Sequence, residues 1–276
     1  FIMAEKPIEL PPELAARLRA EYAKDWRAEL RRNPPAKERM KIPRQSMPQR
    51  GAGERRRDFL EVNRGLSPEA AAAEARRCLD CARPGCVSGC PVSIDIPSFI
   101  KLVEKGEFIA AAFKIKETNA LPAICGRVCP QESQCEAVCN LKKAAGVPVA
   151  IGNLERFVAD YERAAGEVAL PELPPPTGRK VAVIGAGPAG LTAAGELAKK
   201  GHAVTIFEAL HEPGGVLIYG IPEFRLPKAI LKAEVDYLRR LGVEIKYNFV
   251  VGKTAAVDDL KARGYEAFFI GTGAGL

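Results

Sequence analysis

The sequence predicts a two-domain α+β protein, in which a helical domain is followed by the first part of an α/β domain. Eight cysteines lie within residues 78–139, prolines crowd residues 165–178, and a glycine-rich turn after an apolar segment opens the last third of the chain. A chain of 276 residues is long enough for two domains with separate cores. We place the helical domain at residues 1–170, a linker at 171–178 and the α/β domain at 179–276.

The composition is that of a soluble globular protein, with 47% hydrophobic and 27% charged residues. No apolar run approaches the roughly 18 residues of a membrane helix, so we expect no membrane span. The first residues lead into charged and proline-containing sequence without the features of an export signal. We therefore expect a cytoplasmic protein whose cysteines are free thiols, available to metals rather than paired.

The basic character of the chain raises the question of a nucleic-acid partner. The net charge is +7, and a local cluster comprises Arg50, Arg55, Arg56 and Arg57. No nucleic-acid-binding motif surrounds this cluster, and cysteines that become thiolates in a metal site offset part of the surplus. We expect no nucleic-acid partner. A basic face can instead attract an acidic electron-transfer partner.

Helices account for most of the predicted structure before the linker. Apolar residues recur every four positions over Pro11–Arg32, which predicts an amphipathic helix that packs on the protein's own core or on a partner subunit. Prolines and basic residues without periodicity predict an extended arm over residues 33–53. Ser67, followed by Pro68 and an acid, predicts the start of a helix that leads to the first cysteine.

Three more helices are predicted around the cysteines. Two lie between Ile96 and Asn119 with a break near Gly106, and the third covers Asn153–Arg163. We expect their apolar faces to surround the cysteine-bearing loops. The candidate buried residues are Phe99, Leu102, Val103, Phe108, Ala112, Phe113 and Ile115.

The cysteine spacing is typical of a metal site. It is Cys78-x2-Cys81-x4-Cys86-x3-Cys90-Pro91, then Cys125-x3-Cys129-Pro130 and Cys135-x3-Cys139. Zinc also takes four cysteines, but its sites usually come as two separated pairs. A dense run ending in Cys-Pro resembles bacterial ferredoxins, in which three cysteines hold one [4Fe–4S] cluster and the fourth reaches another. The spacing assigns Cys78, Cys81 and Cys86 to one cluster and Cys90 to a second, and leaves the distal cysteines unassigned.

A nucleotide-binding fingerprint follows at residues 180–190, KVAVIGAGPAG. Gly185 permits a tight turn, Gly187 lets the backbone approach a pyrophosphate, and Gly190 lets helix and strand pack closely. A second strand ends at Glu208, an acid that suits a ribose with free hydroxyls and repels a 2′-phosphate. We therefore predict a Rossmann-like domain whose first site does not take NADPH.

Later motifs favour FAD at this site. A glycine pair follows the acid, and the late strand FFIGTG ends in small residues, as in the FAD domain of two-dinucleotide flavoproteins. A helix over Lys228–Leu241 and a strand over Val243–Tyr247 continue the alternating pattern. The predicted nucleotide contacts are Gly185, Gly187, Pro188, Ala189, Gly190, Glu208, Gly214, Gly215, Gly271, Thr272 and Gly273.

Three longer stretches resemble a known family. CLDCARPGCVSGCPVSIDIPSFI, LPAICGRVCPQESQCEAVCN and IGNLERFVADY are similar to the N-terminal domain of the glutamate synthase small chain. That domain also occurs in the large subunit of bifurcating NADH-dependent ferredoxin:NADP oxidoreductase and in dihydropyrimidine dehydrogenase. The resemblance extends from Lys41 to the C-terminus. It implies a helical double [4Fe–4S] domain followed by the first part of a Rossmann-like FAD-binding domain.

The resemblance also implies two ligand sets. The first cluster has four thiolate ligands, Cys78, Cys81, Cys86 and Cys139. The second has three, Cys90, Cys129 and Cys135. Its fourth ligand aligns with Glu155. A carboxylate is a harder donor than a thiolate and would change the reduction potential of the second cluster. Cys125 is then a bystander. Without the resemblance, Glu155 would be interpreted as an exposed helix glutamate.

Together these features predict an electron-transfer subunit of an NAD(P)H-linked flavin and iron–sulfur oxidoreductase of glutamate synthase type. It would pass electrons between NAD(P)H, FAD, two [4Fe–4S] clusters and another oxidoreductase subunit or a ferredoxin. No catalytic residue is assigned, because no Ser/His or Cys/His arrangement is visible. The chain stops at Leu276 without a second glycine fingerprint, so we expect an N-terminal fragment of a longer subunit in a hetero-oligomer, with NAD(P)H bound outside it.

Two alternatives accompany this prediction. The segments KIPRQSMP and CVSGCPVSIDIP look more like the bifurcating ferredoxin:NADP oxidoreductase large subunit and archaeal-type glutamate synthase relatives. The other alternative is of a different class, a zinc-stapled, non-catalytic interaction module joined to a nucleotide-sensing domain. Colour distinguishes the classes, because an iron–sulfur flavoprotein is brown-yellow and a zinc protein is colourless.

Overall fold

The structure, a computed structural model, describes Ala16, residues 26–166 and residues 168–274. It divides into two compact units. The first comprises the chain up to Asp58 together with Val62–Ala169, and the second comprises Phe59–Glu61 together with the chain from Leu170. Helices dominate the first unit and a parallel sheet lies in the second, so the predicted mixed α/β fold is confirmed.

Short and medium helices build the first unit. They are α1 (Trp26–Arg32), α2 (Ala36–Arg39), α3 (Ala52–Arg55), α4 (Pro68–Ala75), α5 (Gly85–Ser88), α6 (Ile96–Lys105), α7 (Phe108–Lys116), α8 (Pro122–Val128), α9 (Asn140–Ala145) and α10 (Ile151–Ala164), with a 3₁₀ turn at Gln131–Ser133. Only α1 represents the predicted helix over Pro11–Arg32, whose remainder lies outside the described residues apart from Ala16. Within the described ranges, no helix is both long and apolar enough to cross a bilayer.

Local sequence explains where several helices begin and end. The Ser67 hydroxyl accepts a hydrogen bond from the backbone N–H of Ala70 at 3.2 Å and caps α4 as predicted. Helices α6 and α7 are separated at Gly106, whose φ of 86° lies in the left-handed region that favours glycine. The arm predicted to be extended over residues 33–53 instead contains α2, because Arg39 is buried and anchors this segment to α6 through Glu104.

The core of the first unit lies where α6, α7 and α10 pack together. The predicted buried residues Phe99, Leu102, Val103, Ala112, Phe113 and Ile115 are all buried. Phe108 is half-buried, and its ring packs edge-on against that of Phe157 at 4.9 Å. These apolar faces surround the cysteine-bearing loops, as expected.

The second unit is an α/β layer. Its elements are β1 (Lys180–Ile184), α11 (Pro188–Lys199), β2 (Ala203–Phe207), α12 (Val216–Tyr219), α13 (Lys228–Arg240), β3 (Glu244–Lys246), α14 (Val257–Ala262) and β4 (Tyr265–Ile270). All strand pairs are parallel, in the order β3-β2-β1-β4. Because β2 and β4 flank β1, the chain direction across the sheet reverses at the carboxyl end of β1. Open α/β sheets bind their ligands at such a point.

Candidate functional site

Four cysteines line one pocket in the first unit, and we call them the first cysteine group: Cys78, Cys81, Cys86 and Cys139. The rest of the lining is largely apolar and includes Ile96, Ile100 and Leu141. Burial raises the pKa of Cys78 to about 11, because an apolar environment disfavours the thiolate. Bound iron would remove this penalty, since a thiol that coordinates a metal is deprotonated.

Two glycines allow the cysteine loops to meet. A Cβ on Gly85 would lie 2.6 Å from the carbonyl oxygen of Val138, and one on Gly89 would lie 2.5 Å from its Cγ2. The amide of Asn140 also donates a hydrogen bond to the carbonyl oxygen of Arg83 at 3.0 Å. The loop with Cys86 and Cys90 therefore packs directly on the loop with the last two cysteines. Sequence reasoning missed these glycines, although each precedes a cysteine.

A buried lysine lies behind the first cysteine group. Lys101 is fully buried, and its Nζ donates hydrogen bonds to the carbonyl oxygen of Cys78 at 2.9 Å and to Oε2 of Glu104 at 2.6 Å. The other Glu104 oxygen accepts a hydrogen bond from Arg39 at 2.9 Å. Two cations thus share one carboxylate beneath the first cysteine. Sequence reasoning missed this network, whose signal is a lysine within the apolar run of α6.

The turn between the first two cysteines is also anchored by charge. Asp80 has a φ of 48°, and its carboxylate accepts hydrogen bonds from Arg27 and, at 2.6 Å, from Arg31 of α1. Burial raises the pKa of Asp80, but the hydrogen bonds from these arginines outweigh burial and hold it below its ordinary value. Helix α1 therefore holds the Cys78–Cys81 turn in place.

We call the remaining predicted ligands the second cysteine group: Cys90, Cys129, Cys135 and the carboxyl of Glu155. Burial raises the pKa of Cys135 to about 12, with further contributions from Glu136, Glu155 and Cys90. Burial also raises the pKa of Glu155 to about 8, and the charge of Cys129 adds to this rise. Glu155 is only 6% exposed, so it is not the exposed helix glutamate of the alternative interpretation.

A close helix contact places Glu155 beside the cysteines. A Cβ on Gly126 of α8 would lie 2.5 Å from the backbone nitrogen of Arg156 on α10, so only glycine allows this approach. Glu155 precedes Arg156, and Cys125 and Cys129 flank Gly126 on α8 and at its end. The contact between α8 and α10 thus joins the acid to the Cys-x3-Cys segment.

The predicted bystander Cys125 lies against the second cysteine group. Its Sγ is 3.6 Å from Oδ1 of Asn119. Hydrogen bonding with Cys125 lowers the pKa of Cys129 to about 7, although burial opposes this shift. All eight cysteines are free thiols. In the part of the chain that the structure describes, no three Cys, His, Asp or Glu side chains are grouped to hold a single metal ion.

In the second unit, the glycine loop joins β1 to α11. Gly185 has a φ of 98°, and a Cβ there would lie 2.4 Å from the carbonyl oxygen of Gly271. A Cβ on Gly190 would lie 1.9 Å from the carbonyl oxygen of Gly185. Gly187, in contrast, faces open space, with no atom within 4 Å of a Cβ placed on it. Two glycines are thus required by the fold itself, and the third leaves room for a ligand at the start of α11.

Glu208 holds the glycine loop in place. Its carboxylate is buried and accepts hydrogen bonds from the backbone N–H groups of Ala186 at 2.6 Å and Leu210 at 2.8 Å. Sequence reasoning assigned this acid to a ribose and missed the bracing role. A carboxylate oxygen can accept more than one hydrogen bond, so contact with a ribose hydroxyl stays a prediction.

The other predicted nucleotide contacts lie around the same loop. The N–H of Gly214 donates a hydrogen bond to the carbonyl oxygen of Ala186 at 2.7 Å, and a Cβ on Gly215 would lie 3.0 Å from the Cα of Gly187. Pro188 and Ala189 form the first turn of α11. Gly271, Thr272 and Gly273 follow β4, with Gly271 bonded to the end of β1. The predicted contacts therefore gather at the carboxyl edge of the sheet.

Comparison with known families agrees with both units. Residues 55–167 match the family described as dihydropyrimidine dehydrogenase domain II, 4Fe-4S cluster. Residues 183–226 match the NAD(P)-binding Rossmann-like domain. These matches identify a 4Fe-4S domain followed by a Rossmann-like domain of the class that binds pyridine or flavin nucleotides.

Individual relatives make the assignment more specific. The glutamate synthase [NADPH] small chain of Azospirillum brasilense is 41% identical over 83% of this chain and 48% of that protein. The corresponding small chain of Escherichia coli (strain K12) is 40% identical over 79% of this chain and 46% of that protein. The NAD-dependent dihydropyrimidine dehydrogenase subunit PreT of the same strain is 45% identical over 68% of this chain and 45% of that protein. The predicted resemblance to the glutamate synthase small-chain group is confirmed.

The chain spans about half the length of these relatives. Two of these relatives are named as small chains of an NADPH glutamate synthase, and the third is named as a subunit of an NAD-dependent dehydrogenase. Among solved structures, histamine dehydrogenase from Rhizobium sp. 4-9 aligns with 70% of this chain and 25% of that chain, at 23% identity and a TM-score of 0.31. That similarity is too low to inform the site.

Proposed function

We propose that this chain is the iron–sulfur and flavin part of an NAD(P)H-linked oxidoreductase subunit of the glutamate synthase small-chain type. It carries electrons between NAD(P)H, FAD, two [4Fe–4S] clusters and a partner subunit, with NAD(P)H bound by a domain outside this chain. The observation that carries the proposal is the pocket lined by Cys78, Cys81, Cys86 and Cys139. These cysteines come from segments more than 50 positions apart, yet they face one apolar cavity.

The first cysteine group fits a [4Fe–4S] cluster by its donor set. Four thiols around a pocket match the Cys₄ ligation of such clusters. The largely apolar lining limits the access of water. Backbone N–H dipoles and positive charges behind the loop influence the reduction potential of a bound cluster. Lys101 supplies such a cation, through its hydrogen bond to the Cys78 carbonyl.

The second cysteine group offers three thiols and one carboxyl. Cys90 precedes Pro91 and Cys129 precedes Pro130, and the electrostatic influence of Cys129 on the buried Glu155 supports grouping the acid with these cysteines. We propose Cys90, Cys129, Cys135 and Glu155 as the ligands of the second cluster. A hard oxygen donor at one iron distinguishes this cluster from the first.

The glycine loop of the second unit fits the pyrophosphate of a dinucleotide. Gly187 leaves open space at the N-terminus of the twelve-residue helix α11, where backbone N–H groups and the helix dipole favour an anion. Glu208 opposes a 2′-phosphate at the adjoining ribose. We therefore propose FAD rather than NADPH as the ligand, which when bound converts hydride transfer into single-electron transfer.

The proposal also includes the domain boundaries, the cellular location and the oligomeric state expected from the sequence. We take residues 171–178 as the linker between the domains at residues 1–170 and 179–276, and we place the protein in the cytoplasm as part of a hetero-oligomer. The relatives are named as a small chain and a subunit, which supports a partner subunit as the electron acceptor or donor.

Cofactor analysis of anaerobically purified protein tests the proposal. We expect roughly eight iron and eight sulfide per chain, as two [4Fe–4S] clusters require, together with one extractable FAD. The Gly187→Ala variant adds a methyl group only in the open space, so it should lose FAD and keep both clusters. Gly53→Ala, with no atom within 4 Å of its Cβ, is the matched control that keeps all cofactors.

The outcomes separate the competing classes. Stoichiometric zinc without acid-labile sulfide would overturn the iron–sulfur assignment in favour of the zinc-stapled module. Two clusters with bound NAD⁺ and no flavin would refute only the FAD part. Two clusters and FAD in a complex that reduces a ferredoxin would identify the bifurcating alternative.

A further inference from the structure

An asparagine that sequence reasoning passed over contacts both Glu155 of the second cysteine group and Cys125. Asn119 follows α7 and is 5% exposed. Its Nδ2 donates a hydrogen bond to Oε1 of Glu155 at 2.7 Å. Its Oδ1 accepts one from the backbone N–H of Leu121 at 3.0 Å and lies 3.6 Å from Sγ of Cys125. One amide therefore connects the segment after α7 with α8 and α10.

The orientation of this amide is determined by its neighbours. The backbone N–H of Leu121 can only donate, so it must face the oxygen of the Asn119 amide and not the nitrogen. The NH₂ group then necessarily faces Glu155. Because an amide NH₂ can only donate, the Glu155 oxygen that it meets must act as an acceptor.

The Glu155 carboxyl has little else to orient it. Within the described residues, the Asn119 amide supplies the one hydrogen bond to this side chain. The close contact at Gly126 sets the position of the α10 backbone but not the rotation of the carboxyl. The thiols of Cys125, Cys129 and Cys135 are near enough to interact electrostatically with Glu155.

We propose that Asn119 is a positioning residue that holds one oxygen of Glu155 and thereby presents the carboxyl to the second iron–sulfur site. This inference rests on the proposed function, since it assumes a cluster at the second cysteine group. Outer hydrogen-bond partners orient the ligands of metal sites and adjust their basicity. Asn119 has that relation to Glu155, whereas Lys101 contacts only the backbone of a ligand in the first group.

The test exchanges donor and acceptor in the full chain. Asn119→Asp keeps an oxygen for the Leu121 N–H and removes the donor to Glu155. Glu155→Gln lets Asn119 hold the amide oxygen, which turns the NH₂ group, a poor metal ligand, towards the site. The double variant restores the hydrogen bond with its direction reversed, because the new amide NH₂ donates to the carboxylate at position 119 and its oxygen faces the site.

Redox titration followed by electron paramagnetic resonance gives the readout. We expect each single variant to shift the midpoint potential of one of the two cluster signals, or to abolish that signal, and to leave the other unchanged. The double variant should return the affected signal towards its wild-type potential. Asn153→Asp, which adds the same charge two residues from Glu155 on α10, is the matched control and should change the signal much less.

Each result supports or overturns the inference. If Asn119→Asp leaves both signals at wild-type potentials, or if the double variant only adds the two single effects, Asn119 does not position Glu155. Asn119→Ala gives the same readout should the aspartate variant not accumulate. Wild-type protein without clusters would instead refute the proposed function, so the two failures are distinguishable.

Discussion

The two cysteine groups lie in one helical unit but differ in the charge placed behind them. The first group has the fully buried Lys101, which shares Glu104 with Arg39 and leaves a net positive charge near Cys78. The second has the buried acid Glu155, held by the neutral amide of Asn119. A cation near a bound cluster favours its reduction, whereas an anionic ligand disfavours it.

If each group binds a cluster as proposed, this contrast gives the two clusters different reduction potentials. The thiol ligands would determine the type of cluster. One buried side chain, Lys101 on α6 or Glu155 on α10, would determine whether the charge nearby is positive or negative. We therefore expect the first group to have the higher reduction potential. Electrons would then have a preferred direction between two neighbouring sites of otherwise similar chemistry.

The largest effect should come from removing a thiol that belongs to only one group. Cys139→Ser takes one donor from the pocket of the first group, so roughly half of the iron and sulfide should be lost or become labile. Cys125→Ser is the matched control, and it should retain two clusters because Cys125 is not assigned to either group. Iron and sulfide analysis of anaerobically purified protein measures both.

The reverse outcome would change the ligand assignment of the second cysteine group. If Cys125→Ser lost a cluster and Glu155→Ala lost none, the fourth ligand of the second group would be a thiol. The contrast in ligand type between the groups would then disappear, and only the charge of Lys101 would distinguish them.

The next effect concerns the helix contact that delivers Glu155. In Gly126→Ala the new Cβ would lie 2.5–2.9 Å from backbone and Cβ atoms of Arg156, so α8 and α10 must separate. Overpacking of this kind costs about 1–3 kcal/mol, and each kcal/mol lowers the melting temperature by about 2–4 °C in a chain of this size. Gly53→Ala, whose Cβ meets no atom within 4 Å, should leave the melting temperature nearly unchanged.

A lowered melting temperature alone does not test the contrast between the groups. Separation of α8 and α10 should also broaden or weaken the second cluster signal and spare the first. Equal damage to both signals would mean that Gly126 supports the unit as a whole rather than the second group.

Local sequence was sufficient for much of the fold. The break at Gly106, the cap at Ser67 and the strand, glycine loop and helix of residues 180–199 follow from patterns confined to short segments, and the structure confirms them. The predicted arm was wrong in part, because α2 is stabilised by Arg39 and its partner Glu104 lies 65 positions away. Propensity within a segment carries no information about such a partner.

In the candidate site, too, local features were predictable from the sequence and contacts between distant residues were not. The cysteine spacing indicated a metal site, because ligands that share a loop are close in sequence. The surroundings of the ligands were not visible, since Lys101 meets Cys78 across 23 positions and Asn119 meets Glu155 across 36. Glu155 itself lies beside Leu154 and Arg156 on an amphipathic helix, where the pattern alone cannot show that an acid faces inward.

The smallest effect should come from the charge behind the first group. Lys101→Met keeps the length of the buried chain and removes the cation, so the potential of the first cluster should fall while that of the second stays constant. A charge separated from the cluster by one residue contributes about 1–3 kcal/mol at an effective dielectric constant near 20, or about 40–130 mV for one electron. Lys105→Met, which removes an exposed cation from the same helix, is the control and should shift neither signal measurably. If Lys101→Met left the first potential unchanged, the Glu104 carboxylate would already neutralise the lysine, and the difference between the groups would rest on Glu155 alone.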